Sequence, residues 1–236
     1  MAETHERLIA RLAAVLSDLH DMEPGAERLC EAGRRMLDAD GAALTVMTPS
    51  RTLVVLAATD PLASKLEDVQ DVVGEGPTKD AYRENLVQLA DFSPGHEARW
   101  PLMHEHGRRL GFSGRVVTLP LKPYGDPVGA LLVYGSGESF WVDPVTAEFL
   151  GVAMGAALVQ DPRLAPERQA GTEAWSSRAQ VHQATGMIIS QVGVRPEDAM
   201  ALLRGQAFAN ESTLLEVAQE VIERQIDFRH FTIEGD

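Results

Sequence analysis

The sequence predicts an α+β protein, an antiparallel sheet flanked by helices and followed by a separate all-α bundle of three helices. Three observations carry this. Residues 43–47 with 53–57, and 116–121 with 128–133, are pairs of short apolar runs, each pair split by a proline-containing turn sequence. Residues 161–175 hold two prolines, one glycine and little apolar content, the composition of a linker. Beyond them, apolar residues recur at helical spacing in three successive blocks. The expected domains are therefore 1–160 and 176–236, joined by 161–175.

Taken in order, Leu8, Leu12, Val15, Leu16 and Leu19 form one stripe of a first helix ending before Asp21, and Pro24 opens a second through Leu29, Met36 and Leu37. Core packing and a dimer contact are both open for these stripes. The two strand pairs follow, with helix-like stretches at 76–84 and 97–110 and a short strand near 87–89 between them. Asp143 and Pro144 are an N-cap and a first helical residue. Val145, Phe149, Val152, Ala156 and Val159 then make a two-heptad seam that fits the sheet or a helix of the same or a second chain. After the linker come a helix over about 177–191, stopped by Gly193, and a second from Pro196 with acids in its first turn. A third begins near Thr213, which with Glu216 spells a Thr-x-x-Glu capping box.

Composition limits the chemistry. The 236 residues carry 44% hydrophobic and 24% charged side chains, enough for a buried core. The net charge of −14 excludes a broadly basic surface for nucleic acid or anionic membrane. Residues 171–236 hold five arginines, no lysine and ten acids. One cysteine, Cys30, excludes an intrachain disulfide and a cysteine-rich metal site. There is no signal-peptide order at the N-terminus and no apolar run long enough for a membrane span, so a soluble, cytoplasmic chain is expected.

Catalytic patterns are absent. His104 and His106 are two residues apart on an expected helix and diverge, so no metal is expected there. Cys30 reads as a small core residue. The sequence Val73-Gly74-Glu75-Gly76-Pro77 is glycine-rich before a helix but lacks the spacing and lysine of a phosphate loop. A tight turn fits it better than an anion site, since Glu75 would repel an anion. No enzyme, cofactor or metal is expected.

Two segments resemble known families. The stretch VVGEGPTKDAYRENLVQLAD, then Arg99-Trp100-Pro101, then VTLPLKPYGDPVGALLVYGS resembles, in this order, a GAF domain of the kind found in actinobacterial regulators. The tail resembles an ANTAR domain through Arg178, Val181, Gln183-Ala184, Gly186, Gly193, Ala199, Leu202-Leu203-Arg204, Ala207, Leu215 and Val217-Ala218. That family is a three-helix RNA-binding module that remodels nascent transcripts to permit antitermination. The resemblance implies a homodimeric transcription antitermination regulator that senses a signal, with a possible small-molecule ligand in the GAF-like part and RNA hairpin loops as partner. It places Arg178 and Arg204 on phosphate, Gln183 on a base edge or sugar, and Gly186 where a backbone approaches closely. Two features depart from the family: Thr185 stands where lysine is common, and the loop 210–213 carries an acid where bases are frequent. They leave a second expectation open, a ligand-sensing protein-interaction module whose tail has lost RNA binding.

Overall fold

The computed structural model describes residues 4–23, 25–48, 53–93, 99–137, 140–160, 173–210 and 212–230; side chains at 173–179, 197 and 230 fall outside it. The chain divides into two compact units, one of Met1–Gln70 with Glu75–Gln169 and one of Asp71–Gly74 with Ala170–Asp236. The α+β class and both expected architectures are present.

In the first unit the described elements are α1 (His5–Asp18), α2 (Ala26–Met36), β1 (Gly41–Met47), β2 (Leu53–Ala58), α3 (Pro61–Val73, whose last three residues count with the second unit), α4 (Pro77–Glu84), β3 (Gln88–Asp91), α5 (Pro101–Arg109), β4 (Arg115–Leu121), β5 (Gly129–Gly135) and α6 (Pro144–Gln160). Every described strand pair is antiparallel, in the order β2-β1-β5-β4-β3. The two expected hairpins are β1–β2 and β4–β5, and β5 lies against β1 to join them into one sheet. The β3 ladder stops at Thr118, two residues before Pro120, which has no N–H to donate.

Side chains alternate across β5. Leu131 and, from α6, Met154 both come against Gly33 of α2 on one face. Tyr134 faces the other way, edge-on to Phe112, which in turn meets Phe92 stacked on His104. Both faces are covered, so β5 is buried along its length and apolar throughout. Pro24, the expected start of the second helix, is outside the described residues, and α2 begins at Ala26.

Helix α3 was not expected, and its inward face explains why. Ala63, Leu66, Glu67, Gln70 and Val72 are the buried positions, and two of the five are polar. The helix starts as such helices do, with Asp60 accepting from the N–H groups of Leu62 and Ala63 at 2.9 and 3.0 Å ahead of Pro61. The buried polar groups are paired. Thr78 Oγ1 donates to Glu67 at 2.7 Å, Gln70 Nε2 donates to Thr78 at 3.0 Å, and Gln70 Oε1 accepts from Thr78 N at 2.8 Å. Gly76 must be glycine for this, because at its φ of +150° a Cβ would lie 2.2 Å from Gln70 Oε1.

The motif residues around α4 form a bracket. Asp80, 8% exposed, accepts from Arg83 at 2.7 Å, Arg99 at 3.2 Å and Trp100 Nε1 at 3.0 Å. Arg99 also donates to Gln88 of β3 at 2.7 Å and to both Glu84 oxygens at 2.8 Å. Glu75 accepts from Leu102 N at 2.8 Å and Met103 N at 3.3 Å, capping α5. The conspicuous sequence thus fastens α4, α5 and β3 to one another.

The seam expected in the helix after Pro144 is not what packs on the sheet. Asp143 caps α6 through Thr146 N at 2.9 Å, as expected. The buried face, however, is Thr146, Ala147, Leu150, Gly151, Met154, Gly155 and Leu158. Val152 and Val159 are 42% and 49% exposed. Gly151 and Gly155 let α6 come close to β4 and the turn after it, Val152 and Val159 of the seam are turned outward, and Val145, Phe149 and Ala156 are half-buried. On α1, Leu8 is buried, Leu12, Val15 and Leu16 are half-buried and Ile9 is 59% exposed, while Leu19, just past its end, is buried.

The second unit contains α7 (Glu173–Val192), α8 (Pro196–Ala209), α9 (Leu214–Ile222) and a short 3-10 turn, Phe228–His230. Helix α7 begins inside the stretch expected to be linker, whose residues 161–172 are outside the described set. The core of this unit is Val72, Ala184, Ile188, Ala199, Leu203, Ala207, Leu214, Val217, Ala218, Val221 and Phe228. The expected stop signals are in place: Gly193 has φ +70° just past α7. Thr213 accepts from Glu216 N at 3.1 Å while Glu216 accepts from Thr213 N at 2.8 Å, completing the capping box. No described helix is long and apolar enough to cross a membrane.

The bracket sets one expectation. Asp80→Ala removes the acceptor of a buried indole N–H and of two guanidinium groups, and should destabilise the protein by about 3 kcal/mol in urea unfolding. Trp100→Phe, which deletes only the N–H, should cost about 1 kcal/mol. An Asp80→Ala midpoint equal to wild type would refute the bracket.

Candidate nucleic-acid interface

Helix α7 turns Ala184, Thr185 and Ile188 inward and leaves His182, Gln183, Gly186 and Ser190 exposed. The exposed set recurs at three- and four-residue spacing, which makes it one face of a helix. Gln183 and Gly186, two of the expected contact residues, are neighbours on that face. An added Cβ at Gly186 would meet nothing within 4 Å, so no packing inside the bundle calls for glycine there. The backbone at Gly186 is simply open to an approaching ligand.

The other two expected residues are not gathered there. Arg178 lies in α7, but its side chain is outside the described residues. Arg204 is on a different helix, α8, where it follows the buried Leu203 and is half-buried.

Thr185 does not point outward. It is 7% exposed, and its hydroxyl donates to the carbonyl of Val181 at 2.7 Å, one turn back. A long cation at this position would have to run its stem along the bundle before reaching water. The threonine offers the surface neither charge nor donor.

A cleft of about 380 Å³ borders the same helix, lined by Met187, Ser190, Gln191, Arg224, Asp227 and Arg229. Arg224 and Arg229 follow α9. Arg229 Nε donates to Asp227 at 2.9 and 3.1 Å, and this pairing raises the guanidinium pKa further above its ordinary value. Arg195 is paired with Asp198 at 3.1 Å. Sequence spacing gave no reason to join Arg224, Arg229, Ser190 and Gln191, since the cleft brings them from two segments more than thirty residues apart.

Residues 170–222 match the ANTAR domain family model. The match covers α7, α8 and α9 and includes Arg178, Gln183, Gly186 and Arg204. No curated protein matches the chain significantly. Among solved structures, the chain is similar to the chromophore-binding domain of a Stigmatella aurantiaca bacteriophytochrome. The identity is 17% over 68% of this chain and 64% of that one, with a TM-score of 0.44. This chain thus spans less than two thirds of that phytochrome chain. It is also similar to the GAF domain of an Acinetobacter phosphoenolpyruvate-protein phosphotransferase, at 10% identity over 66% and 91% of the two chains, TM-score 0.41. The GAF domain of A. aeolicus Nlh2 gives 15%, 65% and 93%, with a TM-score of 0.42.

Outside the ANTAR region, the chemically suggestive residues have structural work. Cys30 is buried, its Sγ 3.8 Å from the Ala57 carbonyl, and burial pushes its thiol up to about 12. It is a poor nucleophile at neutral pH. His104 is buried and stacked on Phe92 at 4.6 Å, while His106 Nδ1 lies 3.1 Å from the Leu102 carbonyl. The two rings sit in different surroundings. Among the described residues no three His, Cys, Asp or Glu side chains are grouped to hold a metal. The first amides of α4 and α5 are taken by Gln70 and Glu75, so the glycine-rich turn offers no anion cradle.

Gly186→Ala provides a check on the open face of the ANTAR region. With no neighbour to clash against, alanine should raise stability by about 0.5–1 kcal/mol through helix propensity. A thermal melt that moves downward would mean the position is packed.

Proposed function

We propose that the protein is an RNA-binding transcription antitermination regulator. Its ANTAR region binds hairpins in nascent transcripts, and the sheet unit is a GAF-like sensor and dimerisation domain. The observation that carries this reading is the family match over 170–222, which falls on a folded three-helix bundle with an open α7 face. Support for the GAF-like part is the ordered set of motifs in the sequence, which the fold gathers around α4, α5 and β3. A small molecule acting on that unit is part of the proposal.

RNA hairpin loops are recognised by shape, stacking and a few backbone contacts, so a net-acidic protein can bind them through placed groups. Gln183 is the base or sugar contact and Gly186 the point of close approach. Arg178 and Arg204 are assigned to phosphate. Titration of the full chain with an RNA carrying two six-nucleotide hairpin loops should show binding that weakens with salt. Each single-strand phosphate contact should contribute about 0.7 to the slope of log affinity against log salt. No binding at low ionic strength overturns the proposal.

A second reading, a protein-interaction module without RNA affinity, is favoured by one observation: Thr185 is turned inward and its hydroxyl is bonded to Val181. The two readings differ for Thr185→Lys. RNA affinity gained from none supports the second, and tight binding already in wild type excludes it.

Dimerisation is assigned to α1 and α6. Ile9, Val152 and Val159 are exposed apolar residues on these two helices, beside half-buried Leu12, Leu16 and Phe149. Two tails in one dimer would engage two hairpins with raised effective concentration. Sedimentation at tens of micromolar should give a dimer, and Ile9→Glu with Val152→Glu should give a folded monomer. A wild-type monomer refutes the assignment.

A further inference from the structure

We propose that the cleft beside α7 is a phosphate-binding subsite that seats the RNA backbone, with Arg224 as its principal cation; this rests on the RNA-binding reading above. The chemistry of the lining points to an anion. Gln191 Oε1 accepts from Phe228 N at 3.0 Å, which leaves the NH₂ end of that amide as a donor. Ser190 is exposed and adds a hydroxyl. The one carboxylate among the described residues of the lining, Asp227, accepts from Arg229 Nε and from Arg229 N at 3.0 Å. Among the described residues of the lining, two guanidinium groups face one carboxylate, inside a protein of net charge −14.

The backbone at Arg224 is an independent observation. Arg224 N donates to the Val221 carbonyl at 3.1 Å and Gln225 N donates to the Glu220 carbonyl at 2.8 Å. This hydrogen-bond pair is the Schellman ending of a helix, and it puts Arg224 at the position where glycine is preferred. Arg224 has φ +62°, in the left-handed region that a residue with a Cβ enters at a cost glycine does not bear. An arginine kept where the backbone favours glycine indicates a use for the side chain. No hydrogen bond or ion pair engages its guanidinium among the described residues, and it is exposed at the cleft. The neighbouring acid, Glu223, accepts from Gln225 Nε2 at 2.8 Å.

The cleft also continues the face already assigned to RNA. Ser190 lies four residues beyond Gly186 and seven beyond Gln183 on α7. Seven residues of helix rise about 10 Å. A strand that contacts Gln183 and crosses the open backbone at Gly186 therefore reaches the arginine at the end of the same stripe. The volume, about 380 Å³, accommodates a phosphodiester and its sugar, with Met187 as the apolar wall.

The test compares the wild-type chain with Arg224→Gly and Arg224→Lys on the two-hairpin RNA across salt, with melting curves for each. Arg224→Gly relieves the backbone strain and should melt about 2 °C higher. It should also bind RNA about tenfold more weakly, with the salt slope reduced by about 0.7. Arg224→Lys keeps the charge and should keep the slope. Stability rising while affinity falls is a pair of changes that a purely structural arginine would not give. Wild-type binding with affinity and slope unchanged in Arg224→Gly overturns the subsite and leaves the RNA reading standing. Absence of wild-type binding overturns both. Arg224-dependent binding of inorganic phosphate alone, with RNA affinity unchanged, overturns the assignment to RNA.

Discussion

A chain with fourteen excess negative charges can hold a polyanion only where it keeps a cation out of internal pairing. Most of the arginines that can be followed here are held inside. Arg34 and Arg35 share Glu31, whose carboxyl they hold down to about 2, chiefly through the Arg34 hydrogen bond. Arg99 serves Glu84, Asp80 and Gln88, and Arg115 holds Asp91 at 2.9 Å. These pairs fasten helices and strand ends. They also subtract from the cations that could face a ligand. At physiological salt the acids elsewhere on the surface are screened beyond about 8 Å. A local cluster of donors can therefore act as positive although the whole molecule is negative.

The same distinction separates motif from site. The residues most conspicuous in the sequence of the first unit are Gly76, Asp80, Arg99 and Trp100, and each is committed to holding α4 and its neighbours. Glu75 and Gln70 occupy helix N-termini that would otherwise attract anions. A buried polar network of this kind is stable only when every member is satisfied, which makes its sequence specific. In the second unit the roles are reversed. The residues that pack the bundle are ordinary alanines, leucines and valines, and the chemically distinctive ones lie on the open face of α7 and past the end of α9.

This arrangement accounts for what the sequence could reveal. Hairpins, caps and stops are local, and they were legible: the two strand pairs, Asp143 before α6, Gly193 after α7, and Thr213 with Glu216. Helix α3 was hidden because Glu67 and Gln70 occupy inward positions where a period of apolar residues would otherwise show. The seam on α6 left two uses open, and periodicity did not choose between them: the sheet took the face of Leu150, Gly151, Met154 and Gly155, and Val152 and Val159 stayed exposed. Gln183 and Gly186 were legible as neighbours on one helix. The cleft was not, since Arg224 and Arg229 meet Ser190 and Gln191 only through the packing of α9 against α7.

Arg224 illustrates a further limit of local rules. They expect glycine after the last turn of α9, and an arginine there reads as an ordinary exposed side chain until its φ is known. Its position bears on the departure at Thr185. A lysine at 185 would send charge out from beside the buried face of α7, between Ala184 and the open backbone at Gly186. The threonine instead closes that edge with its bond to Val181. Positive charge is then supplied from another element, past the end of α9, where it reaches the α7 stripe at Ser190. Threonine at 185 therefore closes one route by which this surface could meet a phosphate. It does not leave the surface without charge, because the helix ending after Ile222 projects Arg224 toward the same helix.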